Sequence, residues 1–254
     1  MSGKTRKLLS SALIGTTLLS GGLEKAVAQE PDIRVNASTT FASIYVQGSG
    51  FVVGKGPVSQ TYVGAGLRNF TLSSWLNYDF GNRALTEADF FVGVNGSLFS
   101  IDKGLFEGKV SARASVDAWT YPGLKGVKPD YAAEAGIHYS WKNLAELDFG
   151  FIHLFTGEQT WDRNKFQFEV SKPLTLANIG NLKLQITPSI STAVCDNFYG
   201  FNDVSRVTIG TELNLQSGNL KFGAFVNRQF SASPGTNPGI KDITYYGIGG
   251  RIDF

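Results

Sequence analysis

Between residues 70 and 80 apolar and polar side chains alternate one for one. Phe70, Leu72, Leu76, Tyr78 and Phe80 take one parity, and Thr71, Ser73, Trp75, Asn77 and Asp79 take the other. A period of two is that of an extended strand, whose successive side chains point to opposite faces. Residues 105–121 repeat the pattern, with Val110, Ala112, Ala114, Val116 and Ala118 set against Glu107, Lys109, Ser111, Arg113, Ser115 and Asp117. Segments of roughly ten residues suit a tilted strand that crosses the hydrocarbon of a bilayer.

One alternating strand does not separate a soluble sandwich from a barrel; the rhythm of the connections does. Short connections fall at Arg68-Asn69, Asp102-Lys103-Gly104, Lys142-Asn143, 178–181 and 216–219. Long ones fall at 48–58, 81–87, 121–130, 156–164, 195–203 and 231–241. Gly, Asn and Asp mark both kinds, as turn backbones require. Five short and six long connections in alternation imply 12 antiparallel strands with both chain ends on the short-turn side. The strands are expected at 37–47, 59–67, 70–80, 88–100, 105–120, 131–141, 145–155, 164–173, 182–194, 204–215, 220–230 and 243–254, after a lead-in at 29–36. An even strand number with short turns at one rim and long loops at the other is the pattern of outer-membrane barrels. The expected fold is therefore all-β, a transmembrane antiparallel β-barrel of about 12 strands.

The first 28 residues read differently. Lys4, Arg6 and Lys7 precede an apolar stretch from Leu8 to Leu23 and the small-residue exit Ala26-Val27-Ala28. That order describes a secretory signal peptide cleaved after Ala28, which leaves one barrel domain over residues 29–254. The segment holds four of the 23 basic residues and one of the 21 acidic ones, leaving 19 basic and 20 acidic side chains, a net of −1. The basic balance of the whole chain thus belongs to export, and no Lys/Arg cluster remains that would suit a nucleic acid. The single cysteine, Cys195, has no internal disulfide partner, which suits an oxidising compartment.

If the chain is a barrel, the period-2 phase turns Lys109, Arg113, Asp117, Glu134, Asp148, Glu169, Lys183, Glu212, Lys221 and Arg251 inward. Such a wall of both signs fits either a wet pore with weak ion preference or an interior closed by salt bridges. Aromatic residues near strand ends (Trp75, Tyr78, Phe80, Phe90, Tyr139, Trp141, Phe149, Phe155 and Phe254) fit girdles at the two membrane interfaces. His138 and Ser140 share one strand face, with Glu146 and Asp148 expected opposite across the turn near Asn143. These are the residue types of a nucleophile, its base and the group that orients the base, but also of a plain polar cross-strand ladder. His153 has the opposite phase, with Leu147, Phe149 and Phe151, so the two histidines do not suggest a shared metal. Gly247, Gly249 and Gly250 lie within a strand pattern rather than before a helix, so they do not form a phosphate-cradling loop. No cofactor is implied.

Three motifs carry a resemblance. Tyr45 is followed by Gly56-Pro57-Val58-Ser59-Gln60 and then by Trp75-Leu76-Asn77-Tyr78-Asp79, and Tyr121-Pro122-Gly123 closes the fifth strand. Through them the N-terminal half of the chain resembles the small porins of Gram-negative bacteria, although Val46-Gln47-Gly48 stands where that family has an Arg-Gly pair. The resemblance implies an outer-membrane channel for passive diffusion of small hydrophilic solutes and not an enzyme. The last strand, ending on Phe254, resembles the C-terminal strand that the barrel-assembly machinery reads, which implies that machinery and outer-membrane lipid as partners. The His-x-Ser spacing is similar to that of barrel lipid A deacylases. A hydrolase using Ser140 and His138, or a non-conducting structural or adhesive barrel, are accordingly the alternatives.

Overall fold

The computed structural model describes residues 33–46, 52–53, 56–123, 127–142, 144–156, 163–198, 201–232 and 240–254. The expected signal peptide, residues 1–28, lies outside them. The described chain runs as β1 Ile33–Ala42, β2 Val58–Leu67, β3 Phe70–Asp79, β4 Ala84–Ile101, β5 Gly108–Thr120 and β6 Asp130–Trp141. It continues as β7 Ala145–Thr156, β8 in two segments Arg163–Ser171 and Leu174–Ile179, β9 Leu182–Phe198, β10 Phe201–Ser217, β11 Leu220–Ser231 and β12 Ile243–Asp253. A two-residue ribbon, Tyr45–Val46 with Val52–Val53, sits in the first long loop.

Each strand pairs antiparallel with the next, and β12 returns to pair with β1 from Asn36↔Asp253 to Ala42↔Gly247. The two segments of β8 pair in turn with β9, Asn164↔Asp196 to Ser171↔Ser189 and Leu174↔Ile186 to Ile179↔Leu182, so they occupy one position in the wall. The result is a closed barrel of 12 strands, joined along its seam by the β1–β12 pairing. The seam ends where the Phe254 N–H donates to the Val35 carbonyl at 2.7 Å and the Val35 N–H to Phe254 O at 3.3 Å.

Local chemistry explains the rims. Three tight turns begin with a positive φ, Arg68 at 54°, Gly180 at 58° and Gly218 at 55°, and each is followed by asparagine. These are the conformations that let a two-residue hairpin follow the strand twist. β8 breaks where Lys172-Pro173 meets Thr187-Pro188: proline has no N–H to give the ladder, and the Lys172 N–H bonds instead to Pro188 O at 3.1 Å. At the opposite rim, Asp79 accepts from the Asn82 N–H at 3.0 Å and from its side-chain amide at 2.9 Å, while the Asn77 amide donates to Thr86 Oγ1 at 2.7 Å. The Trp-x-Asn-x-Asp motif thus clamps the β3–β4 loop.

The barrel has inverted polarity. On β5, Val116 is 64% exposed while its neighbour Asp117 is 1% exposed. Phe41, Leu72, Phe90, Ile209, Phe222 and Ile248 also face outward, whereas a soluble sheet turns its charged side out. Aromatic rings bound this apolar surface. At the short-turn end Phe106 and Tyr139 both stack on Trp141, with centroids 5.5 and 6.1 Å away, and the Tyr139 hydroxyl donates to the Phe106 carbonyl. At the long-loop end Phe80 meets Phe41 and Tyr78, and Phe155 meets His153 edge-on at 4.6 Å.

Three expectations are corrected. Residues 33–36 are not a lead-in: Ile33↔Leu67 through Asn36↔Gly64 already pair with β2. The strand expected to end at residue 173 continues as Leu174–Ile179, taking in 178–179 of the turn expected at 178–181. Trp75 does not belong to a girdle, because it points inward onto Tyr45, with ring centroids 5.5 Å apart.

Candidate functional site: the barrel interior

The residues first read as turned inward, Lys109, Arg113, Asp117, Glu134, Asp148, Glu169, Lys183, Glu212, Lys221 and Arg251, fall in separate groups. Toward the short turns a cavity of about 510 Å³ is lined by Arg34, Lys109, Arg113, His138 and Ser140, among others. There Arg113 Nη1 lies 3.3 Å from Asp148 Oδ1, and His138 Nδ1 lies 3.0 Å from Asp148 Oδ2. Glu169 sits directly opposite Asp148 across the β7–β8 ladder. Near the seam a smaller space of about 170 Å³ is flanked by Glu212, Lys221 and Arg251, with Lys221 Nζ 3.9 Å from Glu212 Oε1. Lys183 stands apart, opposite Gln216 in the β9–β10 register.

The proposed catalytic residues do come onto one wall. The His138–Asp148 contact exists, yet Asp148 is shared with Arg113. Ser140 follows two residues along the same strand, a spacing of about 6.6 Å between Cα atoms. No hydrogen bond joins Ser140 to His138 among the described residues. The arrangement is that of a cross-strand charge ladder. His153 lies on the outer face, where its Nδ1 is 2.8 Å from Asn164 Oδ1 and its ring meets Phe155.

The long-loop half of the interior is built differently. Trp119, Ile152, Leu154, Cys195, Phe198 and Ile240 form a buried apolar cluster inside the barrel. Beside it lies a cavity of about 320 Å³ whose wall includes Glu87, Asp89, Glu134 and Lys165 together with Tyr45, Trp75, Trp119 and Phe198. Tyr45 reaches it from the loop after β1; burial, reinforced by the Glu87 carboxylate, holds its phenol well above the usual range. Lys165 Nζ sits 5.0 Å from the centre of the Phe198 ring. Across the loop from 121 to 130, the Tyr121 hydroxyl donates to Asp130 Oδ2 at 3.0 Å. A Cβ on Gly123 would come within 2.8 Å of Leu85 O, so only glycine lets this loop lie against β4. This accounts for the Tyr-Pro-Gly motif.

Reading by phase missed Glu87, Asp89, Lys165 and Arg206. Asp89 and Lys165 have the parity of the inward face and were legible in principle. Glu87 has the parity of Asp89 and pairs with Asn77 in the same register, but lay outside the expected strand. Arg206, whose Nη1 donates to Thr208 Oγ1 at 2.7 Å, shares the parity of Thr208 and Glu212 and was likewise legible in principle. Among the described residues no three His, Cys, Asp or Glu side chains are placed to hold a metal ion.

The fold and interior define an inverted-polarity, closed β-barrel. No family model matches the chain and no curated protein matches it. Among solved structures it is similar to the NanC porin, at 8% identity and TM-score 0.49 over 86% of this chain and 98% of that one. It is also similar to LpxR from Salmonella typhimurium, at 8% identity and TM-score 0.46 over 85% and 99% of the two chains. A third likeness is to the beta domain of the Bordetella autotransporter BrkA, at 11% identity and TM-score 0.43 over 87% and 98%. Likenesses this distant do not choose among these activities.

Proposed function

We propose that this barrel sits in a bacterial outer membrane and passes small hydrophilic solutes through its interior, without acting on them as an enzyme. The observation that carries the reading is the inverted polarity: an apolar outer wall between aromatic rings encloses a polar inner wall with solvent-sized spaces. Lipid is the environment that rewards such an exterior, and only a closed barrel satisfies the backbone of strands placed there. Phe254, 69% exposed at the end of the seam, is the group we assign to recognition by the barrel-assembly machinery.

Charge is ordered along the passage. The short-turn chamber carries Arg34, Lys109 and Arg113, and the long-loop chamber carries Glu87, Asp89 and Glu134. A cation and an anion therefore each meet one favourable and one unfavourable end, which predicts modest selectivity. Arg113→Glu removes the guanidinium beside Asp148 and adds a second carboxylate there. The reversal potential of the refolded protein across a salt gradient in planar bilayers should shift toward cations, with conductance retained. An unchanged reversal potential would show that Arg113 does not border the ion path.

A further inference from the structure

We propose that the long-loop chamber is a binding site for an organic primary ammonium, whose N–H groups donate to buried carboxylates while its carbon body lies on aromatic faces. This deepens the channel reading above by naming a solute class for it.

The chamber is lined by three carboxylates, Glu87, Asp89 and Glu134, against one ammonium, Lys165. Asp117, 1% exposed on the same face of β5, adds a further carboxylate beside Glu134. These groups are not equally engaged. Glu87 is held by the Tyr45 hydroxyl, and Lys165 lies on the Phe198 ring. Asp89 is 6% exposed and lines the chamber, yet its Oδ1 has no hydrogen-bond partner. A buried acceptor left unsatisfied is costly, so an N–H donor from a solute gains more there than at a hydrated surface.

The rest of the wall selects the kind of donor. Tyr45, Trp75, Phe91, Trp119 and Phe198 give the chamber an aromatic surface suited to a cation and to the methylenes beside it. Lys165 over Phe198 is an instance of that contact within the same wall. The volume of about 320 Å³ lies at the lower end of small-ligand pockets, which suits a body of a few carbons. A bare metal ion would leave the aromatic surface unused, and an anion would meet an excess of carboxylates.

The test uses n-butylammonium as probe on the refolded full barrel in detergent, followed by tryptophan fluorescence, since Trp75 and Trp119 border the chamber. Saturable binding is expected, at least tenfold tighter than for 1-butanol or butyrate and at least tenfold weaker in Asp89→Asn. Lys109→Gln, in the other chamber, should leave it unchanged. Folding of each variant is checked by its β-sheet circular dichroism; should Asp89→Asn not fold, Trp75→Leu takes its place with the same expected loss. Equal binding of 1-butanol, or unchanged affinity in the folded variant, would overturn the site. Because binding is read without a bilayer, a barrel that binds the amine but does not conduct keeps the site and refutes the channel. One that conducts without binding does the reverse.

Discussion

Ala114 offers a sharp test of which medium the outer wall meets. It lies on the exposed face of β5, paired with Val94 on one side and Ala135 on the other. Four residues away in each direction the same face reaches the aromatic rows, at Ala118↔Tyr131 and Val110↔Tyr139. A strand rises about 3.4 Å per residue and tilts by about 40°, so four residues climb roughly 10 Å along the membrane normal. Ala114 is thus near the middle of the apolar band, and Ala118 near its long-loop edge. An arginine at the midplane costs about 2–4 kcal/mol, and one near the interface about 0–1 kcal/mol. Ala114→Arg should therefore weaken folding into lipid by roughly 30- to 800-fold at about 1.4 kcal/mol per factor of ten, and Ala118→Arg by no more than about fivefold. On a surface facing water the same substitution would usually fall within about 0.5 kcal/mol. The assay is reversible guanidinium unfolding from phosphatidylcholine vesicles, followed by tryptophan fluorescence, with Ala114→Leu as the control for size. A cost below about 0.5 kcal/mol at Ala114, or equal costs at both depths, would refute the membrane-facing assignment.

Arg68, at φ 54° in the β2–β3 turn, occupies a conformation that disfavours a side chain, so Arg68→Gly should raise stability by about 0.5–1 kcal/mol in the same titration. The bond from Arg34 to the Arg68 carbonyl is unaffected by that change, because it uses the backbone. Phe254→Ala keeps the two backbone bonds to Val35 and removes only an exposed ring. Folded yield in cells should fall several-fold while unfolding in vesicles changes little; equal yields would remove Phe254 from assembly.

The strand order and closure were legible because a two-residue period survives wherever one wall meets an apolar medium and the other does not. β3 and β5 carry that signal almost without interruption, and the tight turns announce themselves through Asn and Gly. What the pattern concealed was tertiary. Glu87, with the inward parity of Asp89, fell in what reads as a loop before β4, and facing prolines divided β8 without ending it. The aromatic character of Trp75 suggested an interface, but its parity was that of Ser73 and Asn77, and Tyr45 from a distant loop completes its packing. The long-loop chamber is built by residues from the loop after β1 and from every strand from β3 to β9, which no sequence spacing relates. For the same reason the His138–Asp148 contact was foreseeable from one hairpin, whereas the competing claim of Arg113 on Asp148 needed the β5–β6 register as well.

Conduction through the interior is open to single-channel recording of the refolded protein in a planar bilayer, in symmetric salt. Discrete conductance steps are expected, with similar current at either polarity to within a few-fold, carried by both ions. Insertion of folded barrels with no conductance above the bare bilayer would contradict it, and would leave the buried cluster around Trp119 and Phe198 as a plug rather than a constriction.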